Sequence, residues 1–213
     1  MPKQKKTKLK KNYDEMASSY DKQSSHYAWT APLKTTAYTL HLLKPKLKIL
    51  DIGVGTGQSI HKAIEIGCDV YGIDISDEML QQAKQKYPEA NLIVDDLENG
   101  LTNLKEKNFE LVTISGVIEF VEDFRKALTV IKKLLIPKGY LCFTFELPKN
   151  NISSSREPAP SNEFIHYRRS YKQVYKDLSE LNFTVVRSET FEAYINKTSN
   201  EAVEYHVILT RIE

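Results

Sequence analysis

Short apolar runs alternate with amphipathic segments through the middle of the chain. The amphipathic segments repeat apolar residues at helical spacing, as Phe124, Leu128, Ile131 and Leu135 do in the longest of them. Each apolar run has the length of a strand and is bounded by charged residues or glycine. A regular alternation of strands with helices is typical of an α/β domain with a doubly wound, mostly parallel sheet. The predicted strands lie at residues 49–52, 69–75, 91–94, 109–114 and 140–146.

The pattern changes at both ends of this alternating region. Before it, apolar residues at helical spacing predict a helix over 12–20 and a second helix that is ended by Pro45. After it, the stretch 147–170 is rich in Asn, Ser and Pro, so we expect a long loop that could bind substrate. A helix follows, and then two long β-type runs separated by a polar turn predict an antiparallel hairpin. The two runs cover residues 183–195 and 202–212.

Composition and charge are those of one domain with additions. The chain has 213 residues, of which 41% are hydrophobic, so it can bury a sizeable core. Residues 1–11 contain six lysines and no acidic residue, which predicts a basic, disordered tail in front of a single domain over 12–213. No apolar run has the length of a membrane span. The two cysteines are typical of inert thiols in a cytoplasmic protein.

One string of residues carries the clearest chemistry. Asp51, Gly53, Gly55 and Gly57 lie in the sequence Leu-Asp-Ile-Gly-Val-Gly-Thr-Gly, at the end of the first predicted strand. Glycine accepts a positive φ angle and lets a ligand lie against the backbone, and the helix predicted over 58–66 points its first N–H groups into the same space. A site for a nucleotide-like ligand is therefore expected. The glycine spacing differs from the dinucleotide fingerprint G-x-G-x-x-G, and the lysine of a Walker loop is absent.

This string resembles motif I of the class I S-adenosylmethionine (SAM) dependent methyltransferases, in particular the small-molecule group of type 11/12. The resemblance extends over 12–213 and implies a Rossmann-like fold, with a seven-stranded, mostly parallel sheet that ends in a C-terminal antiparallel hairpin strand. It also places the three glycines beside the cofactor. A carboxylate suits the cationic sulfonium and ammonium groups of SAM, so Asp51 is expected near the methionine end.

The resemblance assigns further cofactor contacts to the ends of later strands. Asp74 ends the second strand, where an acidic residue in such folds binds the ribose hydroxyls. Asp96 follows the third strand and would accept the adenine amino group, with Asp95 as its rival. Two adjacent aspartates direct too few oxygens at one point for a divalent ion, so we expect no metal. The remaining expected contacts are Ile75, Leu97 and Ser115.

Three side chains are candidates for handling a proton of the acceptor, namely Tyr20, His166 and Glu119. Tyr20 belongs to a Tyr-Asp-x-x-Ala-x-x-Tyr-Asp pattern that resembles the N-terminal lid of small-molecule methyltransferases. Such a lid would span residues 12–44 and bring Tyr20 onto the cofactor, whereas packing of this helix on the domain surface is the alternative. A lone histidine in front of a helix is more often structural than catalytic, which is the alternative for His166.

We therefore expect an enzyme that transfers a methyl group from SAM to oxygen or nitrogen of a small molecule and releases S-adenosylhomocysteine. No membrane is expected as a partner, nucleic acid is disfavoured as one, and the protein should be a monomer or a homodimer. The alternatives are a non-catalytic SAM-binding regulatory module, a nicotinamide-dependent oxidoreductase, and an RNA or protein methyltransferase that uses the basic tail.

Overall fold

The computed structural model describes residues 3–149, 153–158, 165–196 and 199–213. Its helices are α1 (Lys3–Met16), α2 (Tyr20–His26), α3 (Ala31–Thr39), α4 (His61–Ile66), α5 (Asp77–Lys86), α6 (Phe124–Lys132) and α7 (Tyr171–Glu180). Its strands are β1 (Lys48–Ile52), β2 (Asp69–Asp74), β3 (Asn91–Val94), β4 (Phe109–Ile114), β5 (Leu135–Glu146), β6 (Ser155–Pro158), β7 (Ile165–Arg168), β8 (Phe183–Asn196) and β9 (Glu201–Ile212). Short 3-10 turns lie at Ala17–Ser19, Leu40–Leu42, Leu97–Asn99 and Ile118–Phe120.

Seven of the strands form one sheet in the order β3-β2-β1-β4-β5-β9-β8. β1 is parallel to β2 and to β4, and Asp51 of β1 lies opposite Gly72 and Thr113. β9 runs antiparallel to both of its neighbours. The predicted doubly wound sheet with a C-terminal antiparallel hairpin strand is therefore confirmed. Its strand order reverses between β1 and β4, which is where open α/β sheets form a ligand-binding crevice at their carboxyl ends.

Apolar side chains of the central strands point alternately to the two faces of the sheet. Leu50 of β1 belongs to the larger core, which α6 and α7 cover, whereas Ile49 belongs to a smaller core under α4 and α5. Neighbouring strand residues face opposite sides, so one continuous apolar run supplies both cores. Helices on both faces bury the sheet and leave its carboxyl rim for ligand binding.

The N-terminal helix begins earlier than the sequence pattern predicted. We expected a disordered tail over 1–11, but α1 already includes residues 3–11. Lysine is a good helix former, and Lys10 forms an ion pair with Asp14 one turn later, at 2.7 Å. Leu9 is only 5% exposed, so this residue of the helix packs on the domain. The predicted helix over 12–20 is divided between α1, a 3-10 turn and the start of α2.

The predicted loop over 147–170 contains a small sheet. β6 and β7 pair antiparallel, with Ser155 opposite Arg168. The composition of this stretch indicates a loop, but pairing of two strands gives its backbone N–H and C=O groups hydrogen-bond partners. The parts of that prediction at 150–152 and 159–164 lie outside the described residues. No helix in the described ranges is long and apolar enough to cross a bilayer.

Candidate active site

A cavity of about 610 Å³ opens at the carboxyl rim of the sheet. Residues that follow β1, β2, β3 and β4 form its floor, and α1 together with Tyr20 forms its roof. Small-molecule sites usually have volumes of roughly 300–1,000 Å³, so this cavity has the size of a ligand site. The expected cofactor residues that line it are Gly53, Gly55, Asp74, Ile75, Asp96, Leu97, Ser115 and Tyr20.

The three glycines of the loop after β1 have different roles. Gly53, Gly55 and Gly57 have φ angles of 75°, 54° and 90°. A Cβ at Gly53 would lie 2.1 Å from Val117 Cγ2, and one at Gly57 would lie 2.7 Å from the Tyr87 ring. A Cβ at Gly55 would meet no described atom within 4 Å, because Gly55 faces the cavity. Gly55 therefore forms the open cradle, whereas Gly57 packs against Tyr87 and its expected cofactor contact stays a prediction.

Asp51 lies below the cavity and is not part of its wall. The side chain is 1% exposed. It accepts hydrogen bonds from the hydroxyls of Ser59 and of Thr113, the latter at 2.5 Å. Burial raises the pKa of Asp51 to about 6, although both hydroxyls oppose this. Its two oxygens thus join Ser59, which follows the glycine loop, to β4, and the expected contact with the methionine end of the cofactor stays a prediction.

Asp74 ends β2 and lines the cavity as expected. Its Oδ2 accepts a hydrogen bond from Gly55 N at 2.9 Å, and its Oδ1 accepts one from Ser76 N at 2.9 Å. Burial raises the pKa of Asp74 to about 6, and these amides act in the opposite direction. A carboxylate has about four lone-pair sites, so Asp74 retains acceptor capacity toward the cavity while it fixes the glycine loop.

The two adjacent aspartates after β3 are distinguished by their partners. Asp95 is 7% exposed, and its oxygens accept hydrogen bonds from the backbone N–H groups of Asp96, Asn103 and Leu104 at 2.8–2.9 Å. Asp96 caps the following 3-10 turn through a bond from Glu98 N at 2.9 Å. Both line the cavity, but Asp95 is committed to closing the loop. The geometry therefore favours Asp96 for ligand recognition.

Two tyrosines of the N-terminal segment form part of the roof. The rings of Tyr13 and Tyr20 lie 6.4 Å apart, and the Tyr13 ring lies 6.2 Å from that of Phe120. Burial raises the pKa of Tyr20 to about 12 and that of Tyr13 well above its usual value, with Asp74 and Glu119 adding to both shifts. Both hydroxyls are protonated at neutral pH, so they can donate hydrogen bonds. The role of Tyr20 in handling a proton of the acceptor stays a prediction.

Two acidic side chains, which we call the lid latches, hold the roof on the cofactor loops. Asp14 accepts a hydrogen bond from Ser76 Oγ at 2.7 Å, and Asp21 accepts one from Thr56 Oγ1 at 2.6 Å and pairs with Lys86. The sequence reasoning missed these contacts. Each latch residue directly follows a tyrosine in the repeated Tyr-Asp pattern, and this repeat is the signal that could have identified them.

The other two candidates for proton handling lie beside the cavity. Glu119 is 3% exposed and accepts a hydrogen bond from the Tyr205 hydroxyl at 2.7 Å. His166 Nδ1 lies 3.4 Å from Glu146 Oε2, and the His166 ring packs at 5.0 Å on Phe120, which lines the cavity. Within the described ranges, no group of three or more His, Cys, Asp or Glu side chains has a metal-binding arrangement.

A buried arginine fixes the turn that carries Glu119. The Arg169 guanidinium donates hydrogen bonds to the carbonyl oxygens of Ile118, at 2.8 Å, and of Val121. It also reaches the carbonyl oxygen of Glu122 at 3.3 Å. Burial lowers the pKa of Arg169 to about 10, which leaves it charged. Nothing in the sequence pattern marks this positioning role, because it depends on main-chain atoms about 50 residues away.

The strand order, the open glycine cradle and the acidic rim define an α/β domain that binds a nucleotide-type cofactor at the carboxyl ends of its strands. In a comparison with known protein families, residues 50–143 match the family described as a methyltransferase domain. Residues 50–143 thus carry a methyltransferase domain, and the fold of the chain is that of SAM-dependent methyltransferases of known structure.

Individual relatives agree with this assignment. The chain is 30% identical over 149 residues to a demethylmenaquinone methyltransferase of Listeria welshimeri, and the alignment covers 66% of this chain and 63% of the relative. The chain thus spans less than two thirds of the length of that relative. The structure of 1,6-didemethyltoxoflavin-N1-methyltransferase of Burkholderia thailandensis, with bound 1,6-didemethyltoxoflavin and S-adenosylhomocysteine, superposes with a TM-score of 0.74 at 16% identity over 97% of this chain and 88% of that one. A SAM-dependent methyltransferase of Methanosarcina mazei gives 0.67 at 17% identity over 81% and 96%.

Proposed function

We propose that this protein transfers a methyl group from SAM to a small-molecule acceptor. The observation that carries the proposal is a single cavity that brings together the open backbone at Gly55, the Asp74 carboxylate and the turn at Asp96 and Leu97. A cradle without Cβ atoms admits a ligand against the backbone, and carboxylates accept hydrogen bonds from hydroxyl and amino groups. An adenosyl compound offers both kinds of donor, so these residues fit the cofactor.

Each part of the cavity then has one task. Asp74 would hold the ribose hydroxyls, and Asp96 would accept the adenine amino group. Ile75 and Leu97 supply the apolar surface on which the adenine ring packs, since both line the cavity between these two carboxylates. Asp51 joins Ser59, which follows the glycine loop, to β4.

SAM supplies a methyl group that is already activated on a sulfonium. The protein therefore needs to align the acceptor and exclude water. Tyr13 and Tyr20 line the cavity, and their hydroxyls stay protonated because burial raises the pKa of both. Ser115 stands at the end of β4, where its hydroxyl donates a hydrogen bond to Thr35 Oγ1 at 2.8 Å and so ties the rim to α3.

A small acceptor is favoured by the roof. Leu9 and Tyr13 of α1 lie over the cavity. The latch at Asp14 holds α1 down, and the latch at Asp21 holds α2, whereas a macromolecular acceptor needs an open groove. The names of two similar proteins also refer to demethylmenaquinone and to 1,6-didemethyltoxoflavin. Cytoplasmic location and a monomeric or homodimeric state stay predictions.

Calorimetric titration with S-adenosylhomocysteine tests the cofactor site. Asp74→Asn should weaken binding roughly ten- to a hundredfold, because a hydrogen bond to a charged group contributes about 1.5–3 kcal/mol. Asp69→Asn is the matched control, since Asp69 is exposed at the opposite end of the same strand. Absence of binding to the natural protein, or equal affinity of the two variants, would contradict the proposal.

Turnover separates this function from its alternative, a non-catalytic SAM-binding module. Release of S-adenosylhomocysteine from SAM is measured with and without panels of hydroxyl and amine acceptors. Acceptor-dependent release supports the enzyme, whereas cofactor binding with no release for any acceptor supports the regulatory module.

A further inference from the structure

A group of buried polar side chains lies next to the cavity, beyond Phe120. It consists of Glu119, Glu146, His166, Arg168 and Tyr205, which we call the rim cluster. Its members come from the turn after β4, from the end of β5, from β7 and from β9. None of these five side chains lines the cavity itself, but Val117 and Phe120, which lie in the same turn as Glu119, do.

The two carboxylates of the rim cluster are paired unequally. Glu146 Oε1 accepts a hydrogen bond from Arg168 Nε at 2.7 Å. Glu146 Oε2 forms no hydrogen bond among the described residues, but it lies at ion-pair distance, 3.4 Å, from His166 Nδ1. These partners keep the pKa of Glu146 below its usual value even though burial acts against them. Glu119 has the Tyr205 hydroxyl on Oε1, but its Oε2 has no hydrogen-bond partner among the described residues.

An unpaired oxygen on a carboxylate that is 3% exposed has a cost. Buried polar atoms almost always have a partner, and a buried charge without one is strongly destabilising. The nearby Arg169 cannot supply the partner, because its guanidinium already donates to main-chain carbonyls, among them those of Ile118 and Tyr167. A ligand that donates to Glu119 would remove this cost.

Aromatic rings pack around Tyr205, the hydrogen-bond partner of Glu119. The Trp29 ring lies 5.3 Å from the Tyr205 ring and 5.8 Å from the Tyr194 ring. Trp29 also packs so closely on Gly116, which lines the cavity, that a Cβ there would be 2.8 Å from it. Aromatic faces next to a buried carboxylate favour a nitrogen that donates hydrogen bonds or carries positive charge.

On the basis of the proposed function, we infer that Glu119 binds the nucleophilic nitrogen of the acceptor, and that the acceptor is an amine or a ring N–H compound with an aromatic or apolar body. Tyr205 is then a positioning residue that orients the carboxylate through Oε1. Tyr13 lines the cavity, and its ring lies 6.2 Å from the ring of Phe120, the residue that follows Glu119.

In such a transfer, the negative charge of Glu119 lies beside the positive charge that develops on the acceptor nitrogen. The nitrogen lone pair forms the new N–C bond while the C–S bond of the donor breaks, and the electron pair of that bond stays on sulfur in S-adenosylhomocysteine. Positive charge moves to nitrogen, where a buried carboxylate stabilises it. The N–H proton then passes to Glu119 Oε2 and on to solvent. Burial raises the pKa of Glu119, which makes it a better proton acceptor than an exposed glutamate.

Ligand binding to the protein saturated with S-adenosylhomocysteine tests the inference without turnover. The probes are two matched pairs, tryptamine with tryptophol and 2-phenylethylamine with 2-phenylethanol, each of which exchanges an amine for a hydroxyl. Glu119→Gln keeps the shape and the acceptor for Tyr205. Glu122→Gln is the matched control, because Glu122 is exposed in the same turn.

We expect the amines to bind at least about tenfold more tightly than the alcohols in calorimetry. Glu119→Gln should abolish this preference and leave the affinity for S-adenosylhomocysteine unchanged, and Glu122→Gln should change neither. Equal binding of amines and alcohols, a preference that survives in Glu119→Gln, or absence of binding by both amines would overturn the inference. Failure of the natural protein to bind S-adenosylhomocysteine in the first titration would instead remove the proposed function, and the inference with it.

Discussion

The pH dependence of S-adenosylhomocysteine binding tests the chemistry of Asp74. Its carboxylate lines the cavity, and burial raises its pKa to about 6. In the proposed function this carboxylate accepts hydrogen bonds from the ribose hydroxyls. Protonation removes the charge that makes such bonds strong, so the affinity should fall as the pH falls through about 6.

The size of the effect follows from the pKa. A carboxyl group with a pKa of about 6 is about 90% ionised at pH 7 and about 10% ionised at pH 5. If only the ionised form binds, the affinity decreases about tenfold over this range. The ligand itself changes little, because an α-amino group titrates near 7.7–8.0 and an α-carboxyl group near 3.5. Asp51 has a similar pKa of about 6 but lies below the cavity.

Calorimetric titrations between pH 5 and pH 7 measure this profile. Asp74→Asn should bind weakly and with a flat profile, whereas Asp51→Asn should retain the slope, which separates two carboxylates that titrate in the same range. A flat profile for the natural protein, or the same slope in Asp74→Asn, would refute the assignment of Asp74 to the ribose.

Three further predictions concern packing, the lid and buried charge. Gly53→Ala puts a Cβ 2.1 Å from a Val117 methyl and should lower the free energy of unfolding by more than about 2 kcal/mol. The control is Gly67→Ala, which has a similar φ but open space around the new Cβ and should lower it by about 1 kcal/mol. Urea unfolding measures both, and equal midpoints would contradict the prediction. Asp21→Ala opens a lid latch and should speed S-adenosylhomocysteine dissociation several-fold in stopped-flow measurements, whereas an unchanged rate would exclude the latch. Glu119→Gln should raise the melting temperature. Burial raises the pKa of Glu119 above its usual 4.5, so the charged side chain destabilises the fold increasingly as the pH rises above 4.5. The increase in melting temperature should therefore be larger at pH 8 than at pH 4. A lower melting temperature of the variant at both pH values would contradict the prediction.

Local patterns were enough to predict the sheet and the cofactor rim. The strands, the glycine loop and Asp74 each depend on a few consecutive residues, because backbone conformation and strand ends are set over short distances. Asp74 and Gly55 were both expected in the site, and both line the cavity. The position of a carboxylate at the end of a parallel strand predicts its rim location without knowledge of the tertiary structure.

The sequence by itself thus determined the fold class, the order of its elements and the residues that can face an adenosyl cofactor. Only the tertiary structure decided which of them do. Asp51 turned below the cavity because Thr113 lies 62 residues away in sequence but adjacent in the sheet, and Glu119 meets Tyr205 across 86 residues. Burial, hydrogen-bond partners and pKa values depend on such distant neighbours, whereas hydrophobic periodicity records only which face of its own element a residue occupies.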